Sequence, residues 1–294
     1  MSLATLFILC RFVHFMAVML MFGISIFTAI LAPSKFSLIL GKRLKPLLIF
    51  STLVGAMSAI GLLAIQAGTM GDGWADTYQF STWILVLGTA FGQIWQWHMA
   101  LSLLSVLLLL FWEKNWFSPS MVVCSALLLA SLAFIGHAAM HDGIVGWIHQ
   151  SNQILHLLSA GYWFGSLLPL LFCLPYTRSR QHKPAAIETL ISFSSWGHLA
   201  VVLVVVTGVI NSVIMLGGWP DDFTSNYQRL LWCKIVVVAL MIIIAVINRY
   251  RVVPAIRVIP EKSHYWLVMN AWLEMVLGAV VLLLVSIFAT LVPV

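Results

Sequence analysis

Nine histidines stand in a chain where only 8% of residues carry a formal charge, and their spacing points to metal chemistry. Imidazole suits Cu, Zn, Fe and Ni, while thioether and thiolate sulfur favour Cu(I). Met21 falls seven residues after His14, on nearly the same face of a helix. His98 is followed by Met99, and His141 is preceded by Met140. His149 and His156 are also seven apart and form one helical stripe, with Asn152 between them. His137 and His141 share a face if their helix runs on to His141, where Gly143 would cap it and hold His141 near the membrane surface. The candidate metal ligands are therefore His14, His98, His137, His141, His149 and His156. Met21, Met99, Met140, Cys10 and Cys233 are further soft donors.

The elements that must position these groups follow from composition. The chain of 294 residues is 62% hydrophobic, whereas about a quarter of a soluble domain is charged. Disorder, a disulfide scaffold and a soluble enzyme are excluded. A spanning helix needs about 20 mainly apolar residues. Eight such stretches lie near 5–31, 47–69, 89–112, 119–139, 147–174, 188–216, 229–253 and 265–292, with a short interfacial helix at 81–88. The fold class is an all-α polytopic membrane helix bundle of eight transmembrane helices, one compact domain over 1–294. The first stretch is too long, and too interrupted by Arg11 and His14, for a cleaved signal peptide. Trp74, Trp83, Trp95, Trp97, Trp147 and Trp219 read as an interfacial aromatic belt.

Charge sets the orientation. Lys35, Lys42, Arg43 and Lys45, then Lys114, then Arg178, Arg180 and Lys183, then Arg257 and Lys262 load the odd connections. The even connections carry Asp72, Asp76, Asp142, Asp221 and Asp222. By the positive-inside rule the odd loops are cytoplasmic and both the N- and C-termini face outward, toward the periplasm of a diderm bacterium. The net charge of +6 has the same origin and implies no nucleic-acid partner. With that orientation six of the nine histidines fall in the outer half or at the outer face. Arg11, Asn152 and Lys234 are further polar groups within the spans. Glu274 and His198 lie at similar depth in the inner half, where they would pair and relay protons or simply satisfy each other.

The cysteines Cys10, Cys124, Cys173 and Cys233 show no C-x-x-C spacing and read as small buried residues. No C-x-x-C-H is present, which excludes covalent c-type haem. No Walker A sequence occurs, so ATP is not used through such a site.

The order of several short strings along eight spans resembles the CopD/PcoD family of bacterial copper-resistance inner-membrane proteins. They are Arg11-Phe12-Val13-His14-Phe15, Gly71-Asp72-Gly73-Trp74, Gly136-His137-Ala138 and Ile148-His149-Gln150-Ser151-Asn152. Further on come His156, Ala160-Gly161-Tyr162-Trp163-Phe164-Gly165, Phe193-Ser194-Ser195-Trp196-Gly197-His198, Thr207-Gly208-Val209-Ile210-Asn211, Asn248-Arg249-Tyr250 and Glu274. Gln153 departs from relatives that carry another histidine there. The resemblance implies a multi-pass protein of the bacterial inner (cytoplasmic) membrane that handles copper ions and meets a periplasmic CopC-like copper carrier. It supplies no ligand set of its own.

Three readings follow. The first is a non-enzymatic copper transporter that captures the ion at outer His and Met ligands. The second is a redox protein with haem b between two histidines. The third is a membrane anchor whose outer aspartates dock a periplasmic copper protein.

Overall fold

A backbone in lipid must satisfy its own N–H and C=O groups, so long apolar stretches become helices. The computed structural model describes residues 1–136, 140–255 and 258–292. Among the described residues, eight helices are long and apolar enough to cross a membrane: Leu3–Leu31, Ser34–Met70, Ala90–Phe111, Phe117–Phe134, Gly143–Arg178, Lys183–Leu216, Asn226–Ala255 and Glu261–Phe288. No strand occurs among the described residues. The expected all-α, eight-span architecture is the one observed.

α1 (Leu3–Ile26) begins at Ser2, whose hydroxyl accepts from Thr5 N at 3.2 Å, and ends in a π-helical turn, Phe27–Leu31. α2 (Ser34–Met70) is followed by the short α3 (Phe80–Leu87). α4 (Ala90–Leu108) is capped by the Thr89 hydroxyl, which accepts from Gly92 N at 3.1 Å. Then come α5 (Phe117–Ser131), α6 (Gly143–Gly165), α7 (Leu167–Cys173), α8 (Lys183–Leu216) and α9 (Asn226–Ile247). A second π-helical turn, Asn248–Val252, leads through α10 (Val253–Ala255) to α11 (Pro260–Phe288).

α1 sits at the centre. From His14 to Ser25 it buries almost every side chain, as expected of a helix that is apolar all round. It packs against α2, α5, α6 and α11. At its crossing with α6 the backbones meet: a Cβ on Gly23 would overlap the Gly165 carbonyl, and a Cβ on Gly165 would overlap that of Met19. Small residues allow such approach between membrane helices. α8 packs mainly against α6, and α9 mainly against α11. Their outer faces, including Val202, Val206, Val236 and Ile243, are exposed and suited to acyl chains.

Three boundaries differ from expectation. α2 begins at residue 34, so Lys35, Lys42, Arg43 and Lys45 lie on helix, not in a loop. Hydropathy missed this because these residues are polar, yet Lys and Arg are good helix formers. Two of the four cations are also occupied: Arg43 lies over Phe172 and Tyr176 (5.7 and 5.8 Å), and Lys45 over Trp112 (5.0 Å). The fourth span stops early, at Phe134: Ile135 is already extended (φ −129°, ψ 157°), and Gly136 follows with a left-handed φ of 70°. Gly143 does not cap that span; it is the first residue of α6. The fifth span is broken at Ser166, between α6 and α7, next to the tight Gly165 crossing.

Candidate metal centre

α2 presents small residues to α1. Cβ positions on Gly55 and Gly61 would meet Val18 at 3.7 Å and Cys10 Sγ at 3.2 Å. Ser58 lies between them, three residues from each, and so faces α1 as well. His14 Nδ1 is 2.9 Å from Ser58 Oγ. That hydroxyl has one proton, and it is directed at Val54 O (2.6 Å) and Gly55 O (3.0 Å). Ser58 Oγ can therefore only accept, so His14 carries its proton on Nδ1 and a lone pair on Nε2.

His98 on α4 repeats the arrangement. Its Nδ1 is 2.7 Å from Ser131 Oγ, at the end of α5, and Ser131 donates its own proton to Leu128 O at 2.8 Å. The two imidazoles are 0% and 1% exposed and their ring centroids are 4.9 Å apart. Neither Nε2 has a hydrogen-bond partner. Trp95, three residues before His98, stacks on it at 4.6 Å and lies 5.9 Å from His14. The indole is fixed by Nε1–H to Ala59 O (3.0 Å) and by Phe91 stacked on its other side (5.2 Å). Two neutral imidazoles in ring contact thus each keep a buried, unpartnered Nε2, and each ring is held by a hydrogen bond at its Nδ1. That is how metal-binding histidines are oriented.

The neighbours predicted to help sit as follows. Cys10 donates its S–H to Ser58 O at 3.5 Å, beside the His14 partner. Arg11 lies over Phe15 at 5.7 Å. Met21 is buried in the core and Met99 packs partly against it, while Met140 and Cys233 are exposed. Among the described residues, no three His, Cys, Asp or Glu side chains come close enough to share a metal ion. The five described histidines of the six therefore do not form one cluster.

They divide instead into three places. His141 and the buried His149 bring their rings within 5.4 Å through the turn before α6, not along one helix. His137 lies outside the described residues. His156 stays on the His149 stripe of α6 and faces α8, where its Nδ1 is 2.9 Å from Thr207 Oγ1. Thr207 donates to Leu203 O, so His156 too carries its proton on Nδ1. Asn152 Nδ2 donates to Thr207 O and to Asn211 Oδ1 (both 2.8 Å), and Asn211 donates to Gln153 Oε1 (2.7 Å). Gly208 leaves room for the His156 ring, and Lys234 of α9 is close enough to act on it electrostatically. The Lys234 ammonium lies over Phe288 at 5.8 Å.

The expected pairing of Glu274 with His198 is corrected. Buried Glu274 accepts from Trp163 Nε1 (3.3 Å) and Asn248 Nδ2 (3.0 Å), and Asn248 in turn accepts from Asn270 (2.6 Å). His198 is exposed and makes contact with Ser194 O (2.7 Å) and Tyr250 OH (3.5 Å). The two belong to different helix faces, which depth alone could not distinguish.

Sequence reasoning missed Ser58 and Ser131, because a hydroxyl in a span is common and carries no pattern, and it gave Thr207 no role beyond its place in a family string. It also placed Trp95 in the aromatic belt, whereas Trp95 is 2% exposed at the histidine pair. Its three-residue offset from His98 was the available signal. Two of the loop aspartates organise their own loops. Asp76 is buried and accepts from Asp72 N and Thr82 Oγ1. Asp222 accepts from Thr224 Oγ1 (2.6 Å) and N (2.8 Å), and these bonds hold its carboxyl below the usual carboxylate range.

Residues 1–147 match the family model described as copper resistance protein D-like, N-terminal domain, and residues 187–288 match copper resistance protein D. The chain is 38% identical over 292 residues to the inner membrane protein YebZ of Escherichia coli (strain K12), covering 99% of each. It is 28% identical over 270 residues to copper resistance protein D of Pseudomonas syringae pv. tomato, covering 87% of this chain and 84% of that protein. It is 29% identical over 212 residues to copper transport protein CutJ of Bacillus subtilis (strain 168), covering 67% and 38%. No solved structure matches the chain.

Proposed function

The chain belongs to the copper resistance protein D family, and from that premise we propose that it moves copper ions across the bacterial inner membrane. It is a multi-pass inner-membrane protein related to copper handling. In the proposed route, copper enters from the periplasmic side and passes through a station at His14 and His98. The observation that carries this reading is a pair of buried, neutral imidazoles in ring contact, each with an unpartnered Nε2. Two ligands hold an ion without caging it, and conduction needs sites that also release. His141 and His149, where α6 begins, would serve as an earlier capture point for copper brought by a periplasmic CopC-like carrier.

The same geometry favours copper over haem b at this pair. Axial histidines lie on opposite faces of a porphyrin, and rings in contact at 4.9 Å leave no space for one between them.

Copper accumulation in cells tests the proposal. The double variant His14→Ala, His98→Ala is expected to fall to the level of cells lacking the protein, with membrane abundance unchanged. Accumulation equal to wild type would remove the station from the route.

A further inference from the structure

Resting on the reading of His14 and His98 as a copper station, we infer that the station accepts monovalent copper, Cu(I), and rejects the divalent ion. The ligands are two neutral imidazoles, and each spends its proton on a serine hydroxyl. Among the described residues no third His, Cys, Asp or Glu joins them to form a metal group, so no carboxylate neutralises an incoming charge. Cys10, the nearest thiol, gives its proton to the Ser58 carbonyl and stays neutral. The charge that acts on His14 is positive: Arg11, one turn away on α1. Both rings are buried, and the Trp95 indole stacks against His98.

Charge then decides the cargo. The cost of moving an ion from water into a low-dielectric site grows with the square of its charge, so a divalent ion costs about four times as much as a monovalent one of the same size. A divalent ion normally recovers that cost from anionic ligands or retained water. Among the described residues no carboxylate joins the pair, both rings are buried, and Arg11 adds repulsion that doubles for the divalent ion. Imidazole nitrogen binds Cu(I) and Cu(II) alike, so ligand type does not discriminate and net charge does.

The test uses the full-length protein in lipid nanodiscs. It is titrated with Ag(I) as a redox-inert monovalent probe, with Cu(I) under anaerobic chelator competition, and with Cu(II) and Zn(II). Ag(I) and Cu(I) binding is expected, and it is lost in H14Q and in H98Q. Any Cu(II) or Zn(II) binding at other places is expected to be the same in wild type and both variants. Ser58→Ala and Ser131→Ala keep both ligands and are expected to weaken Ag(I) binding by roughly 10-fold to 100-fold. They serve where the histidine variants fail to fold. Arg11→Gln is expected to narrow the gap between Ag(I) and Zn(II), and an unchanged gap counts against the charge argument. Divalent ions bound more tightly than Ag(I), and lost in H14Q and H98Q, would overturn the inference while leaving the station intact. Binding of neither valence that depends on these histidines would remove the station itself.

Discussion

His14 and His98 beside α1, and His156 between α6 and α8, are held by one device. In each, Nδ1–H donates to a hydroxyl whose own proton goes to a helix carbonyl three or four residues earlier. The hydroxyl cannot donate back, so the tautomer is fixed and Nε2 is left with its lone pair. What the lone pair meets then differs. At His14 and His98 two such rings lie in contact, with Trp95 stacked on His98. At His156 one stands alone, under the influence of the Lys234 ammonium, in a network of Asn152, Asn211 and Gln153 that joins α6 to α8. A ligand needs a second donor and no competing cation. In the proposed reading, the same local chemistry therefore makes a metal station in one region and a helix fastener in the other.

The largest effect that could break this contrast is on transport. Replacing His156 by Ala is expected to leave copper accumulation close to wild type, where the loss of His14 and His98 abolishes it. Accumulation that collapses equally in His156→Ala would mean that the two regions share the cargo route.

A smaller effect separates the two kinds of hydroxyl. Thr207→Val is expected to leave Ag(I) binding at the wild-type level and to lower stability by about 1–3 kcal/mol, since a buried N–H loses its acceptor. Thermal unfolding in detergent, compared with Ag(I) titration of the same sample, measures both. A Thr207→Val protein of unchanged stability that binds Ag(I) poorly would reverse the assignment.

The smallest effects lie at the edge of the fastener. Asn211→Leu removes its bonds to Asn152 and Gln153, and is expected to cost about 0.6–1.7 kcal/mol, the range for hydrogen bonds between membrane helices. Lys234→Met removes the cation near His156 and is expected to give a weak extra Ag(I) affinity that His156→Gln then abolishes. If Lys234→Met adds no such affinity, the cation is not what keeps a metal from His156.

Much of the fold was legible because lipid imposes a simple rule. A stretch of about 20 apolar residues must become a helix that satisfies its own backbone, so all eight spans could be counted from hydropathy. The rule says nothing about ends that leave the apolar core. This explains the hidden start of α2 at Ser34 among lysines, and the misread Gly143, whose helix lies after it. The histidines themselves were legible as candidates, since an ionisable side chain in a span is costly and so stands out.

Sequence by itself therefore determined the helix count, the all-α class and the set of residues worth suspecting. Only the tertiary structure decided which of them meet. His14 and His98 are 84 residues apart and come together because Gly55 and Gly61 let α2 close on α1 while Trp95 locks α4 to α2. Glu274 and His198 were expected at matching depth, yet α11 turns one toward Trp163 and α8 turns the other outward. Hydropathy along a chain fixes how deep a residue lies. The direction it faces is set by packing between helices, where one small side chain or one serine hydroxyl is enough to choose.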